Sequence, residues 1–242
     1  MLKKLAFAIL LVLSTLNSLR ADEVKDAMDQ GNNFFATGQF EMAITQYRIA
    51  ANSSGDHQAR AHFNLGVCHH QLGRTREAVN EYRIAIEFSR GKYARASYAL
   101  GIALNELREW KEAKLAFVQA VVVSKGRDAE SLFQLALILS REGDYEAAIK
   151  NLQLAIKQEK KHFPGGHNNL GVLLAIIGKY SEAQDEFKQA LEQSKGKMPH
   201  ALHNLKLCQA LINSSSPSLM ASLQTSLRLS VRGSQESWQL AD

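Results

Sequence analysis

The chain has 242 residues, of which 22% are charged and 45% are hydrophobic, a composition typical of globular proteins with enough apolar side chains for a core. Its formal net charge is +5, but Lys3, Lys4 and Arg20 lie in the first 21 residues, which contain no acidic residue. Subtracting these three cations leaves +2, so overall charge gives no support to nucleic-acid binding. The sequence contains no phosphate-binding glycine loop, nucleophile motif or metalloprotease helix motif. We therefore expect no catalytic residues, no small-molecule substrate and no cofactor.

The first 21 residues have the layout of a secretory signal peptide. Lys3 and Lys4 precede an apolar run from Leu5 to Leu13, and small or polar residues then lead to Ala21. This run is shorter than the roughly 20 residues that span a bilayer. We predict export, with the periplasm of a bacterium as the destination. The alternative is an uncleaved segment that anchors the chain in the inner membrane, and any other membrane contact is expected to be peripheral.

A period of 35 residues runs through most of the remaining sequence. The segments FNLGV, YALGI, FQLAL and NNLGV begin at residues 63, 98, 133 and 168, each 35 residues after the last. Each repeat contains two stretches of helical period separated by a short break. Small residues recur in three columns of the same register: Gly31, Gly66, Gly101, Ala136 and Gly171; Ala43, Ala78, Ala113, Ala148 and Ala183; and Ala50, Ala85, Ala120, Ala155 and Ala190.

Two further columns indicate how each repeat folds. The break carries glycine in four repeats and Arg108 in the third, and glycine allows the left-handed conformation that ends a helix. The glycines are Gly38, Gly73, Gly143 and Gly178. A large residue recurs in the second stretch and is predicted to fill the space between neighbouring helix pairs. Its members are Tyr47, Tyr82, Phe117, Leu152 and Phe187. Because one pair cannot bury its apolar faces alone, we expect the pairs to stack.

These columns resemble the tetratricopeptide repeat (TPR). The fifth repeat carries the pattern most fully, in Leu170, Gly171, Leu174, Gly178, Tyr180, Ala183, Phe187 and Ala190. The sequence departs from the family in its 35-residue period and in lacking the early Trp and the closing Pro. The resemblance implies an all-α, right-handed superhelix of five helix pairs with a C-terminal capping helix. It also implies that the protein binds other proteins and is not an enzyme.

The resemblance covers residues 22–212, and the register divides them into repeats. We predict repeats at 24–58, 59–93, 94–128, 129–163 and 164–198, with a cap at 199–213 in which Lys206 replaces the expected glycine. Residues 214–242 are rich in serine and are expected to be mostly disordered. The alternative for this tail is a short amphipathic helix over Leu219–Val231 that docks or binds.

The resemblance further implies that the first helices line a concave surface that binds a protein or peptide. One inward column reads Met28, Phe63, Tyr98, Phe133, Asn168 and His203. Its aromatic members would form a row that binds a partner, or they would pack between neighbouring first helices. The column before the repeated Leu carries amides at four of its five positions, with Ala99 as the exception, and amides can hold an extended backbone. The predicted peptide-binding residues are Asn32, Phe63, Asn64, Tyr98, Phe133, Gln134, Asn168, Asn169 and Asn204.

Two further sets of residues, the clamp positions and the basic pairs of the outer loops, allow other interpretations. A carboxylate clamp of this family would need Lys, Asn, Asn, Lys and Arg at positions that here hold Met28, Asn32, Asn64, Arg95 and Ala99. Three of the five are compatible, but the missing Lys and Arg disfavour the clamp. Basic pairs in the outer loops either bind an acidic partner or complement the helix dipoles, with serines before three of them and glycines acting as caps. The pairs are Arg90 and Lys92, Lys125 and Arg127, Lys160 and Lys161, and Lys195 and Lys197.

Histidines and cysteines complete the candidate ligating residues. His62, His69 and His70 form one cluster, His162 and His167 a second, and His200 and His203 a third, but none has diagnostic metal-ligand spacing. We therefore predict no metal site. Cys68 and Cys208 lie four repeats apart, so we expect no disulfide between them.

Overall fold

The computed structural model describes residues 22–52, 56–159 and 162–213. The predicted signal peptide and the serine-rich tail with its alternative helix lie outside these ranges. Within them the chain is helical and contains no strand. The helices are α1 (residues 22–36), α2 (Phe40–Ala51), α3 (Asp56–Gln71), α4 (Thr75–Phe88), α5 (Ala94–Glu106), α6 (Trp110–Val123), α7 (Ala129–Glu142), α8 (Tyr145–Glu159), α9 (Pro164–Ile176), α10 (Tyr180–Gln193) and α11 (Pro199–Asn213).

The described helices form five pairs followed by the single helix α11, which confirms the predicted fold. Short turns of two or three residues join the helices of each pair. Each turn contains one residue in the left-handed region, with φ between 61° and 84°. These residues are Gly38, Gly73, Arg108, Gly143 and Gly178, so the third turn adopts this conformation without a glycine. None of the described helices is long and apolar enough to cross a membrane.

Close contact between a glycine and a ring explains two of the sequence columns. A Cβ atom added to Gly66 would lie 2.5 Å from the Tyr82 ring, and one on Gly171 would lie 2.7 Å from the Phe187 ring. Gly31 and Tyr47 repeat this arrangement at 2.5 Å. In the first, second and fifth pairs, the large residue of the second helix therefore packs on the backbone of the first helix. In the fourth repeat, Ala136 stands in the glycine column and Leu152 in the ring column. The extra methyl group of the alanine is thus matched by a side chain smaller than a ring.

Contacts divide the chain into two compact modules between Ala113 and Lys114, inside α6. In the N-terminal module, Tyr47 belongs to a core cluster that also contains Leu65 and Cys68 of α3. The large residue therefore also contacts the neighbouring pair, as predicted. In the C-terminal module, α7 packs on α8, α8 on α9, and α9 on both α10 and α11. Apolar side chains from successive helices thus form the core of each module.

Candidate peptide-binding surface

The structure places the predicted aromatic column mostly inside the protein. Phe63 is 1% exposed and Phe133 is 0% exposed, whereas Tyr98 is half-buried. Met28 and Asn168 of the same column are also buried, and His203 is exposed. The expected row of exposed rings is therefore corrected for Phe63 and Phe133, whose side chains pack in the core. Among the three aromatic members, only Tyr98 retains accessible surface.

Rings from the connecting loops explain this burial. Tyr93, which immediately precedes α5, lies with its ring centroid 5.2 Å from that of Phe63. Phe163, which immediately precedes α9, lies 5.2 Å from Phe133 in the same way. Each loop ring thus packs on a column ring from a preceding first helix. Repeat-motif reasoning missed Tyr93 and Phe163 because they lie outside the motif, although both fall in one 35-residue column with Gln58, Asp128 and Met198.

The predicted amide column also turns inward. Asn64, Asn169 and Asn204 are 0% exposed, and Gln134 is 7% exposed. In the C-terminal module, Asn204 Nδ2 donates to Asn168 Oδ1 at 2.9 Å, and Asn168 Nδ2 donates to Asn169 Oδ1 at 3.1 Å. Because buried amides require hydrogen-bond partners, this chain of bonds ties α9 to α11. To bind a peptide as predicted, these amides would have to break their hydrogen bonds to one another and form new ones to the peptide.

All of the carboxylate-clamp positions except Arg95 are likewise buried or hydrogen-bonded within the protein. Tyr47 Oη donates to Asn32 Oδ1 at 2.8 Å, so this acceptor serves the contact between α1 and α2. Burial raises the pKa of Tyr47 well above its usual value, which keeps its hydroxyl protonated as a donor. Met28 and Asn64 are buried, and Arg95 alone among the cationic clamp positions carries an exposed charge. This arrangement does not reproduce the clamp.

A different group of side chains is accessible in the N-terminal module. Arg60 of α3 and Arg95 of α5 lie one repeat apart in register. Both positive charges favour ionisation of the Tyr93 hydroxyl and so lower its pKa. Burial raises the pKa of Tyr93 to about 12, and the two guanidinium groups oppose that rise. Arg60 Nε is buried and makes no hydrogen bond to any described residue. Arg95 is exposed, and Tyr98 is half-buried one helical turn after it.

We refer to Arg60, Tyr93, Arg95 and Tyr98 as the Arg–Tyr cluster. It combines two permanently charged side chains with two aromatic ones, on the first helices α3 and α5 and in the loop that precedes α5. Guanidinium groups recognise carboxylates through paired hydrogen bonds, and tyrosines supply large contact area with a polar end. Its chemistry therefore suits an acidic protein segment.

The basic outer loops have a repeated capping geometry. Arg90, Lys125 and Lys195 adopt φ values of 52° to 55°, and each precedes a glycine with φ between 68° and 74°. Each glycine N–H donates at 2.8 Å to a carbonyl in the last turn of the preceding helix. Ser89, Ser124 and Ser194 bond to the carbonyl three residues earlier, at 2.8 to 3.2 Å. These loops terminate helices as the capping interpretation predicts, while Lys160 and Lys161 lie outside the described residues.

Three of the histidines pair with carboxylates. His62 Nδ1 lies 2.7 Å from Glu81, and three repeats later His167 Nδ1 lies 2.7 Å from Glu186. His70 Nε2 contacts Glu106 at 2.7 Å. Among the residues that the structure describes, no group of three or more His, Cys, Asp or Glu side chains is arranged to hold a metal ion. Cys68 and Cys208 are buried free thiols.

Comparison with known proteins identifies the class to which this architecture belongs. One family model described as tetratricopeptide repeat matches residues 28–92, and a second with the same description matches residues 129–162 and 165–196. Together these matches cover more than half of the chain, which is therefore a member of the tetratricopeptide-repeat family. Among curated proteins, none matches the sequence.

Solved structures share the fold. MamA aligns with a TM-score of 0.63 and 22% identity, covering 73% of this chain and 94% of that one. YrrB, described as a TPR protein with an unusual peptide-binding site, aligns at 0.62 and 23% identity, covering 74% and 90%. PilF from Pseudomonas aeruginosa aligns at 0.66 and 18% identity, covering 86% and 91%. At these identities the likeness concerns the helical repeat fold.

Proposed function

We propose that this chain is a non-catalytic adaptor of the bacterial cell envelope that binds an acidic protein or peptide segment on its first helices. The observation that carries the proposal is the Arg–Tyr cluster, where Arg95 is exposed and Arg60 Nε is buried without a hydrogen bond. A buried donor without a partner favours a ligand that supplies an acceptor. YrrB, a relative in fold, is described as having a peptide-binding site, which supports this class of partner.

The envelope location is supported by the N-terminal sequence. Lys3, Lys4 and the apolar run from Leu5 to Leu13 have the pattern of a signal peptide, so we propose a periplasmic protein. An uncleaved segment that anchors the chain in the inner membrane is the alternative. Fractionation of cells with a C-terminal tag distinguishes the two, because a cleaved chain is released with the soluble periplasmic contents.

Binding of acidic peptides to the purified chain tests the proposal. An array of random ten-residue peptides is probed with the full chain, with Arg60→Glu/Arg95→Glu and with a matched loop variant, Arg90→Glu/Lys92→Glu. Both variants carry the same change in net charge. We expect the wild-type chain and the loop variant to select peptides rich in Asp and Glu, and the cluster variant to lose them. Equal binding by all three proteins would contradict the proposed site.

A second candidate function has its own observation, on α6. Leu115, Val118 and Val122 are 69%, 38% and 69% exposed, and their spacing places them on one face of the helix. The other four repeats carry polar residues at all twelve equivalent positions. They are Thr45, Arg48, Asn52, Asn80, Arg83, Glu87, Lys150, Gln153, Lys157, Asp185, Lys188 and Glu192. The strip is therefore not required by the repeat.

This α6 strip supports the alternative that the chain is a structural subunit of an envelope assembly. Its exposed area is on the order of 300 Å², the size at which apolar patches often mark interaction sites. The occupant it suits is an apolar helix face of a partner protein. Leu115→Asp/Val122→Asp should release the chain from high-mass complexes on a native gel. The register-matched control Thr45→Asp/Asn52→Asp should leave it there, and identical migration of both variants would exclude this role.

A further inference from the structure

The terminal helix α11 exposes apolar side chains, and one of them, Leu205, lies at a position that the earlier first helices bury. Leu202 is 43% exposed and Ile212 is 45% exposed, and Leu205 between them is half-buried. The residues equivalent to Leu205 in the four preceding repeats are 2% to 8% exposed. They are Leu65, Leu100, Leu135 and Leu170. Helix α11 thus has the apolar side chains of a first helix, without a second helix over them among the described residues.

We propose that residues 217–231 of the tail form a twelfth helix that packs on this face of α11. Helix α11 is described to Asn213, and three residues separate it from Pro217. The same number of residues joins the two helices in four of the five described pairs. Helices α9 and α11 both begin at a proline, and Pro217 is the one other proline of the chain. Proline favours the first turn of a helix, so its position agrees with a helix start.

The sequence of residues 217–231 has an apolar stripe for this contact. Met220, Leu223, Leu227 and Val231 follow one another at intervals of three, four and four residues, which places them on one face of a helix. Ser222 and Thr225 lie on the opposite face, together with Leu229. A helix of this kind binds through its leucines, and α11 offers an apolar surface next to it in the chain.

Lys206 determines how this last pair differs from the others. It occupies the column in which Gly31, Gly66 and Gly171 admit a ring against the backbone, and its side chain is exposed. A ring-on-backbone contact is therefore excluded in α11. The tail residue equivalent to Tyr82 and Phe187 is Ser222 in the 35-residue register and Gln224 when counted from a helix start at Pro217, and neither has a ring. The twelfth helix would accordingly pack through its leucine stripe rather than through a ring.

A tethered segment fits this face better than a second copy of the chain. The exposed apolar surface at Leu202 and Ile212 is far smaller than the roughly 1,200 Å² that stable protein interfaces bury. A segment joined by three residues needs much less contact area, because the connection gives it a high effective concentration at α11.

Hydrogen exchange of the full chain tests the proposal, which is independent of the Arg–Tyr cluster. In the wild-type protein, we expect amides of residues 220–231 to exchange at least roughly tenfold more slowly than in an unstructured peptide of the same sequence. Leu223→Asp/Leu227→Asp should remove that protection and speed exchange in α11. The control Ser222→Asp/Thr225→Asp, on the opposite face, should retain it.

The remaining outcomes overturn the proposal. Exchange in residues 220–231 at the unstructured rate in the wild-type chain would exclude a twelfth helix, whatever the variants do. Protection that appears only at high protein concentration, together with a dimer in sedimentation, would assign the face to a second copy. Protection that survives both Leu223→Asp/Leu227→Asp and Leu202→Glu would place the tail helix elsewhere.

Discussion

The rings of Phe63 and Tyr93 lie with their centroids 5.2 Å apart, one on the first helix of the second repeat and the other on the loop before α5. Phe133 and Phe163 reproduce this distance two repeats later. Tyr98, in the same column as Phe63 and Phe133, is half-buried, and the loop position in its register is Asp128, which has no ring. A first-helix aromatic is thus buried where the loop residue 30 positions later carries a ring, and partly accessible where that residue is Asp128.

Substitution of the first-helix glycine that faces a ring should destabilise the protein, because the new side chain would collide with that ring. Gly171→Ala would place Cβ 2.7 Å from the Phe187 ring and should destabilise the protein by about 1–2 kcal/mol, despite the better helix propensity of alanine. Adding Phe187→Leu should recover about 1 kcal/mol, because the fourth repeat already combines Ala136 with Leu152. Urea denaturation measures both variants, and additive losses would contradict the packing account.

Glycine in place of Arg108, in the turn between α5 and α6, should stabilise the protein. Arg108 adopts φ of 61°, where a side chain costs about 1 kcal/mol relative to glycine. Arg108→Gly should therefore raise stability by up to about 1 kcal/mol. Lys111→Gly, at an exposed position within α6, should lower it by a similar amount. Thermal unfolding compares the two, and a loss in both would show that Arg108 makes a compensating contact.

The 35-residue register predicted the helices and the turns, because these depend on residues that recur within one repeat. It placed the large residues between neighbouring pairs and did not predict their contact with the glycine of the same pair. Positive φ at Gly38, Gly73, Gly143 and Gly178, and at Arg108, follows the predicted breaks. The exposure of the binding residues could not be predicted in this way. It depends on Tyr93 and Phe163, which act across repeats, and on hydrogen bonds between amides that a sequence pattern does not locate.

The amide chain in the C-terminal module should contribute to stability. Asn168→Ala removes the acceptor of Asn204 Nδ2 and the donor to Asn169 Oδ1, and should cost about 1–3 kcal/mol because these groups are buried. Gln189→Ala, at an exposed position of α10, is the control and should change little. A fully stable Asn168→Ala protein that loses peptide binding would instead support the amide ladder predicted from sequence.

The two thiols should react slowly in the folded protein. Burial raises the pKa of Cys68 to about 12 and that of Cys208 to about 11, so little thiolate exists at pH 8. Alkylation by iodoacetamide should be at least about 100-fold slower than in the denatured chain. Equal rates in the two states would contradict the burial.

The same raised thiol pKa values predict that the protein becomes less stable at alkaline pH. The unfolded thiol ionises near pH 9, below the folded values, so the unfolded state loses its protons first. The thiol contribution is therefore fully present below pH 9 and is lost as the pH rises through about 11 to 12. The urea midpoint should fall over this range, and substitution of both cysteines by alanine should reduce the fall.

Photo-crosslinking in cells tests whether the Arg–Tyr cluster binds a protein segment. A photoreactive phenylalanine analogue replaces Tyr98 in one strain and Lys125, in an outer loop, in a control strain. We predict a discrete adduct from position 98 that disappears with Arg60→Glu/Arg95→Glu, and no equivalent adduct from position 125. Adducts from position 125 with none from position 98 would contradict this prediction and assign binding to the basic loops.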